Sequence, residues 1–137
     1  MRLLLDTDIL LDFVLERAPH HESSGKILEW AESHPGSCAV AWHSLANIHY
    51  LTRGNTRGFF RDLLQFIEVP RTGGDDMLLA LELGFSDLED AMQCASAILF
   101  GAQMIVTRNI SDYKKSPIKA VTPSFILTLL SRDRKSL

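Results

Sequence analysis

The sequence is poor in several features that mark particular classes of protein. It has two cysteines in 137 residues, too few for a disulfide framework or a four-cysteine zinc site. Its formal net charge is -3, whereas a protein that binds nucleic acid over its whole surface is strongly basic. The opening apolar run Leu3-Leu4-Leu5 meets Asp6 at once and is too short for a signal peptide or a membrane helix. We therefore expect a cytosolic domain, with no membrane segment, whose contacts with nucleic acid are local.

The sequence alternates short apolar runs with helical patterns. The runs predict strands over 2–5, 37–41, 67–69, 104–106 and 118–121. The periodicities predict helices over 7–15, 20–33, 44–53, 56–66, 76–83 and 87–100, and one more from 122 onward. This alternation is typical of an open parallel sheet covered by helices on both faces. We assign residues 1–130 to a single domain and residues 131–137 to a C-terminal tail.

Local signals predict how two of these helices begin. Thr7 is expected to cap the first helix. Ser86 and Glu89 have the spacing of a capping box at the start of the helix over 87–100, which Gly101 should end.

Carboxylates recur where this fold class binds its ligands, beyond the carboxyl ends of the strands. Asp6 and Asp8 follow the first strand, and Asp112 follows the strand over 104–106. Asp87 and Asp90 open the helix that leads into that same strand. Crowded carboxylates remain ionised when a cation is bound among them, and Mg²⁺ and Mn²⁺ prefer oxygen ligands. The pattern predicts a divalent-metal site suited to phosphate chemistry.

Each of these acids also has a purely structural interpretation. Asp6 and Asp8 could cap the helix that follows, and Asp87 and Asp90 suit the positive end of a helix dipole. Asp112 could hold a turn. Their common placement at one edge of the predicted sheet favours a functional site over three unrelated structural roles.

Four stretches of the sequence carry a resemblance to a known family: LLLDTDILLD over 3–12, SLANIHYL over 44–51, DLEDA over 87–91 and IVTRNISDY over 105–113. The last stretch is the most specific, and together they span nearly the whole chain. They resemble the PIN domain, the nuclease fold of VapC-type toxins and related ribonucleases. The resemblance implies a three-layer α/β/α fold around a central parallel sheet of about four to five strands, in line with the alternating pattern.

The resemblance also implies an activity and its site. The family hydrolyses RNA phosphodiesters with a metal-activated water, and Asp6, Asp90 and Asp112 would hold Mg²⁺ or Mn²⁺. Asp87 would add a ligand or support one. PIN domains commonly form homodimers, and their toxin members bind a protein antitoxin, so these are the partners that the resemblance implies.

Further residues receive supporting or RNA-binding roles. Hydrogen bonds from Thr107 and Asn109 would support the site, and we also assign supporting roles to Asp8 and to Ser44, which could equally be a helix cap. Basic residues beside the acidic loop would contact the phosphates of RNA. They are Arg108, Lys114 and Lys115.

The sequence departs from the toxin pattern at Asn47, where those members carry Glu, and resembles a subgroup with Asn before a tyrosine. An amide oxygen can ligate a metal or orient water, but it brings no negative charge. Asn47 therefore stays among the candidate catalytic residues and motivates an alternative, an RNA-binding module with little catalysis. A third reading is a haloacid-dehalogenase-like phosphatase, because Asp6-Thr7-Asp8 resembles its nucleophile motif, although its Lys and Gly-Asp motifs have no convincing match.

Overall fold

The computed structural model describes residues 1–135, with the side chains of residues 1–132. Its strands are β1 (Leu3–Leu5), β2 (Cys38–Ala39), β3 (Ile67–Glu68), β4 (Met104–Val106) and β5 (Lys119–Val121). Its helices are α1 (Thr7–Val14), α2 (His21–Ser33), α3 (Trp42–Thr52), α4 (Arg57–Leu63), α5 (Gly74–Glu82), α6 (Leu88–Phe100) and α7 (Pro123–Lys135). A 3₁₀ turn spans Ile110–Tyr113, between β4 and β5.

The strands form one five-stranded sheet in the order β3-β2-β1-β4-β5, and every pairing is parallel. β1 lies at the centre, and its three leucines are fully buried because helices cover both faces of the sheet. The register places Leu5 opposite Val106. The parallel sheet predicted from the alternating pattern is confirmed, and the strands are shorter than the apolar runs at several ends.

The helices form a layer on each face of the sheet. On one face, the apolar sides of α1, α2, α3 and α7 pack over β1 and β2 in the larger hydrophobic core, which includes Ile9, Ile27, Ile48 and Ile126. On the other face, α6 packs its small side chains Cys94 and Ala97 against the sheet, and α5 packs on α6. The three-layer α/β/α architecture is therefore confirmed.

The caps of two helices differ from those predicted. Asp6, not Thr7, caps α1, since its carboxylate accepts a hydrogen bond of 2.7 Å from the backbone N–H of Thr7. Asp87, not Ser86, caps α6, and it accepts from the backbone N–H groups of Glu89 and Asp90. A carboxylate accepts such bonds more strongly than a hydroxyl does, because it carries a full charge near the positive end of the helix. Gly101 ends α6 with a φ of 77°, as predicted.

The C-terminal helix α7 continues through Lys135, into the segment assigned to a tail. Residues 136 and 137 lie outside the described residues, so the division of the chain at 130 stays a prediction. Within the described part of the chain, the helices are all too short or too polar to cross a lipid bilayer. Both cysteines are buried and unpaired by disulfides, as expected.

Candidate active site

Parallel pairing of β1 with β4 brings the first two elements of the site together. The backbone N–H of Asp6 donates to the carbonyl of Val106 at 3.0 Å, and the N–H of Thr107 donates to the carbonyl of Val121 at 2.9 Å. Asp6 and Thr107 therefore leave neighbouring strands at the same edge of the sheet, although 101 residues separate them along the chain.

Hydrogen bonds fix the Asp6 carboxylate in one orientation. Its Oδ1 accepts from the backbone of Thr7, and its Oδ2 accepts from the hydroxyls of Thr107 and Tyr113, each at 2.9 Å. Only 7% of Asp6 is exposed. Burial and the negative charge of Asp6 raise the pKa of Tyr113, so this phenol remains a donor. Tyr113 was missed as a site residue, although the sequence places it directly after Asp112.

Asp90 lies in the first turn of α6, among other carboxylates. Partial burial and, in decreasing order, the charges of Asp87, Asp6, Asp112 and Glu89 raise the pKa of Asp90 to about 7. Like charges act this strongly only at short range. We refer to these five residues as the acidic cluster.

No basic side chain neutralises the acidic cluster within the described part of the chain. Both ion pairs formed among residues 1–132 involve Asp12, which lies outside the cluster. Among the described residues, however, no three Asp, Glu, His or Cys side chains stand close enough to grip one ion. The predicted acids thus share one electrostatic environment without forming a compact ligand set.

Asn47 on α3 reaches the acidic cluster through Glu89. Its amide Nδ2 donates to the Glu89 carboxylate at 3.2 Å, across 42 residues of sequence. Partial burial and then the charges of Asp6 and Asp87 raise the pKa of Glu89, whereas the bond from Asn47 lowers it. Sequence analysis assigned Glu89 to a capping box and so missed its place in the cluster.

Comparison with known proteins identifies the family of this fold. The sequence model described as a PIN domain matches residues 2–111, a span that holds β1 to β4 and most of the acidic cluster. The chain belongs to the PIN-domain family. No curated protein matched it in the corresponding sequence search.

Solved structures share the fold of this PIN domain. A toxin–antitoxin complex from Klebsiella pneumoniae matches with a TM-score of 0.68 and 23% identity, over 88% of this chain and 97% of that chain. VapBC2 from Rickettsia felis, bound to a DNA fragment from its promoter, matches with a TM-score of 0.64 and 19% identity, over 89% and 98%. PAE2754 from Pyrobaculum aerophilum matches with a TM-score of 0.61 and 17% identity, over 96% of each chain.

Asp8 of the PIN domain faces the segment that follows β4. Its Oδ2 accepts from the backbone N–H of Arg108 at 3.0 Å and from the Asn109 amide at 3.3 Å, with a weaker contact of 3.4 Å to Thr107. Its buried Oδ1 has no hydrogen-bond partner among the side chains and backbone that the structure describes. Burial and then the charge of Asp6 raise the pKa of Asp8 to about 6. Thr107 therefore contacts both aspartates after β1 and Asn109 contacts Asp8, and their supporting role stays a prediction.

The Arg108 side chain forms an ion pair with the buried Asp12. Its Nε and Nη2 donate to the two oxygens of Asp12, at 2.6 Å and 3.1 Å, and Asp12 is fully buried. This bidentate pair links the segment after β4 to α1. Asp12 was not predicted as a partner of Arg108. The guanidinium thus has a structural role, and its contact with RNA stays a prediction.

Ser44 belongs to a buried hydrogen-bond network beneath the acidic cluster. The Thr7 hydroxyl donates to Ser44 Oγ at 2.8 Å, and the Gln93 amide donates to Ser44 Oγ at 2.6 Å and to Thr7 Oγ1 at 3.0 Å. All three side chains are buried. The network joins α1, α3 and α6, the helices that carry Asp6, Asn47 and Asp90. Sequence analysis missed Gln93, since one buried glutamine has no distinctive sequence signal.

Lys114 and Lys115 follow the 3₁₀ turn that carries Asp112. Both are exposed, and so is Asp112 itself. Neither forms an ion pair among residues 1–132. Their contact with RNA stays a prediction.

Proposed function

We propose that this PIN domain is a metal-dependent ribonuclease that hydrolyses phosphodiester bonds of RNA, with Mg²⁺ or Mn²⁺ bound by Asp6, Asp90 and Asp112 and assisted by Asp87. The observation that carries the proposal is the uncompensated charge of the acidic cluster. Partial burial and then the charges of the neighbouring carboxylates raise the pKa of Asp90 to about 7, and a divalent cation bound among them would favour its ionised form.

The donor set fits a hard cation. Every candidate ligand is a carboxylate or an amide oxygen, which suits Mg²⁺ and Mn²⁺ rather than softer metals. The buried Asp8 Oδ1 provides a further oxygen without a partner. Asp112 is exposed, so its side chain can rotate toward an ion.

The protein's own residues would have two roles in the reaction, positioning a ligand and attracting the RNA. Thr107 and Tyr113 hold the Asp6 carboxylate in place, while the exposed Lys114 and Lys115 attract the phosphates of RNA to the rim. The bound cation supplies the Lewis acid that lowers the pKa of water and offsets phosphate charge.

A protein antitoxin and a second copy of the chain are the partners we propose. The structural neighbours include a toxin–antitoxin complex and a VapBC2 complex on promoter DNA, so the same fold occurs with antitoxins. We accordingly infer that the chain is the toxin component of such a pair.

RNA cleavage by purified protein tests the proposed activity. Wild type with Mn²⁺ should cleave a labelled structured RNA, whereas Asp6→Asn and Asp90→Asn should lose at least roughly a hundredfold in rate. Glu29→Gln removes one charge from an exposed position on α2 and should cleave like wild type. Equal rates for Asp90→Asn and wild type would rule out the proposed activity.

A binding module without catalysis is the second candidate, and Asn47 is the observation that favours it. In that case RNA would bind, with no cleavage by any variant and no calorimetric signal from millimolar Mn²⁺. The phosphatase alternative gains no support, because the chain belongs to the PIN-domain family.

A further inference from the structure

We propose that Glu89 provides the metal-binding carboxylate that position 47 lacks, and that Asn47 acts as a positioning residue that holds Glu89 in place. The inference rests on the proposed metal-dependent function and assigns one more ligand to it. It begins from the hydrogen bond between Asn47 on α3 and Glu89 on α6.

The bond joins the two positions in space. A carboxylate attached at position 47 and the carboxylate of Glu89 would therefore occupy neighbouring volumes, because the two side chains already meet at 3.2 Å. The same negative charge can thus be delivered to one place from either helix. Glu89 precedes Asp90 and follows the cap Asp87 by two residues, so it shares the first turn of α6 with both.

The hydrogen bond also leaves Glu89 able to bind a cation. Asn47 donates to Oε1, and Glu89 forms no other side-chain hydrogen bond or ion pair within residues 1–132. Its second oxygen therefore has no competing partner there. An amide that donates through nitrogen cannot ligate a metal through that atom, so this geometry suits Asn47 to orientation rather than to ligation.

Neither helix capping nor core packing accounts for the position of the Glu89 side chain. The capping box that would have used its side chain is absent, because Asp87 caps the helix and bonds the Glu89 backbone at 2.8 Å. Glu89 is exposed and packs in none of the hydrophobic cores. Its side chain is free to point outward into water, yet it lies against Asn47 and beside other acids, which repel it.

Isothermal titration with Mn²⁺ alone tests the assignment on a set of four proteins. Glu89→Gln keeps the shape and the bond to Asn47 but removes the charge, and it should weaken Mn²⁺ binding by at least about tenfold, because losing a ligand costs at least as much affinity as losing the partner of a ligand. The double variant Asn47→Glu with Glu89→Gln returns the carboxylate from the other helix and should bind within about threefold of wild type. Glu29→Gln is the charge-matched control and should bind as wild type.

Asn47→Leu separates ligation from orientation. It keeps the Glu89 carboxylate and removes the amide that holds it, so its Mn²⁺ affinity should fall by less than that of Glu89→Gln. Thermal melting of each variant in chelator confirms folding, which exposed positions such as Glu89 should not disturb.

The outcomes distinguish this inference from the proposed function. Wild type that neither binds Mn²⁺ nor cleaves RNA refutes both. Wild type that does both, alongside Glu89→Gln with unchanged affinity, refutes only the role of Glu89. A double variant that binds no better than Glu89→Gln alone would show that the two positions do not deliver the carboxylate to the same place.

Discussion

Neutralising Asp90 should stabilise the metal-free protein while destroying its proposed activity. The native pKa of Asp90 is raised from 3.8 to about 7, chiefly by burial and by the carboxylates around it. A shift of this size corresponds to about 4 kcal/mol for a fully buried group. Asp90 is only partly buried, so screening by water reduces the effect to on the order of 1 kcal/mol. For a domain of this length, that gain raises the melting temperature of Asp90→Asn by about 3 °C.

The sign of the pH dependence follows from proton binding. Between about pH 4 and pH 7 the native protein holds a proton on Asp90 that the unfolded chain has released, so the stability of wild type falls as the pH rises through this range. Asparagine does not titrate. The advantage of Asp90→Asn should therefore grow from about pH 4 to about pH 7 and then level off.

Thermal melts in chelator at pH 5 and pH 8 measure this effect, with Glu29→Gln as the charge-matched control that should melt like wild type at both. Added Mn²⁺ should stabilise wild type more than Asp90→Asn and so reverse their order. Wild-type affinity for Mn²⁺ should also fall by up to about tenfold per pH unit below pH 7, because a proton competes for Asp90. A variant that melts no higher than wild type at pH 8, or that gains equally at both pH values, would refute the electrostatic reasoning.

Three other substitutions test the hydrogen bonds beneath the site, each by urea unfolding. Arg108→Ala leaves the buried Asp12 carboxylate without its bidentate partner and should lower the free energy of unfolding by about 3 kcal/mol. Replacing both residues by apolar ones should recover much of that loss. Equal losses for the single and double variants would contradict this expectation. Gln93→Ala opens the network that joins three helices and should cost about 2 kcal/mol; a change below about 0.5 kcal/mol would mean that the network is not stabilising. Tyr113→Phe removes one hydrogen-bond donor from Asp6, so it should lower the free energy of unfolding by about 1 kcal/mol and weaken Mn²⁺ binding. Unchanged affinity for Mn²⁺ would show that Thr107 alone suffices to orient Asp6.

The sequence was sufficient to predict the parallel sheet and the edge at which Asp6, Asp8 and Thr107 meet. Period and apolar runs mark β1 and β4, and parallel pairing then brings the residues after them to one edge. Asp6, Thr107 and Asp8 meet there as expected. Boundaries were less predictable, because the terminal residues of a strand depend on which partner groups lie opposite.

The partners of individual side chains could not be predicted from spacing. Glu89 has the spacing of a capping box with Ser86, but Asp87 is the stronger cap, which leaves Glu89 to meet Asn47. Arg108 looked like a surface cation beside the acidic loop, yet Asp12 lies within its reach in the fold. Which partner a side chain contacts depends on the packing of residues far apart in sequence, and a shift of a few ångströms changes that partner.

The position of β1 at the centre of the sheet sets the order in which the site can form during synthesis. Its neighbour β2 follows within about 35 residues, but its other neighbour, β4, begins only at Met104. Until the ribosome has released that strand, Asp6 lacks both its backbone acceptor and the threonine hydroxyl that orients it. A nascent chain therefore carries its first acid through the synthesis of 101 further residues before the threonine that orients it exists.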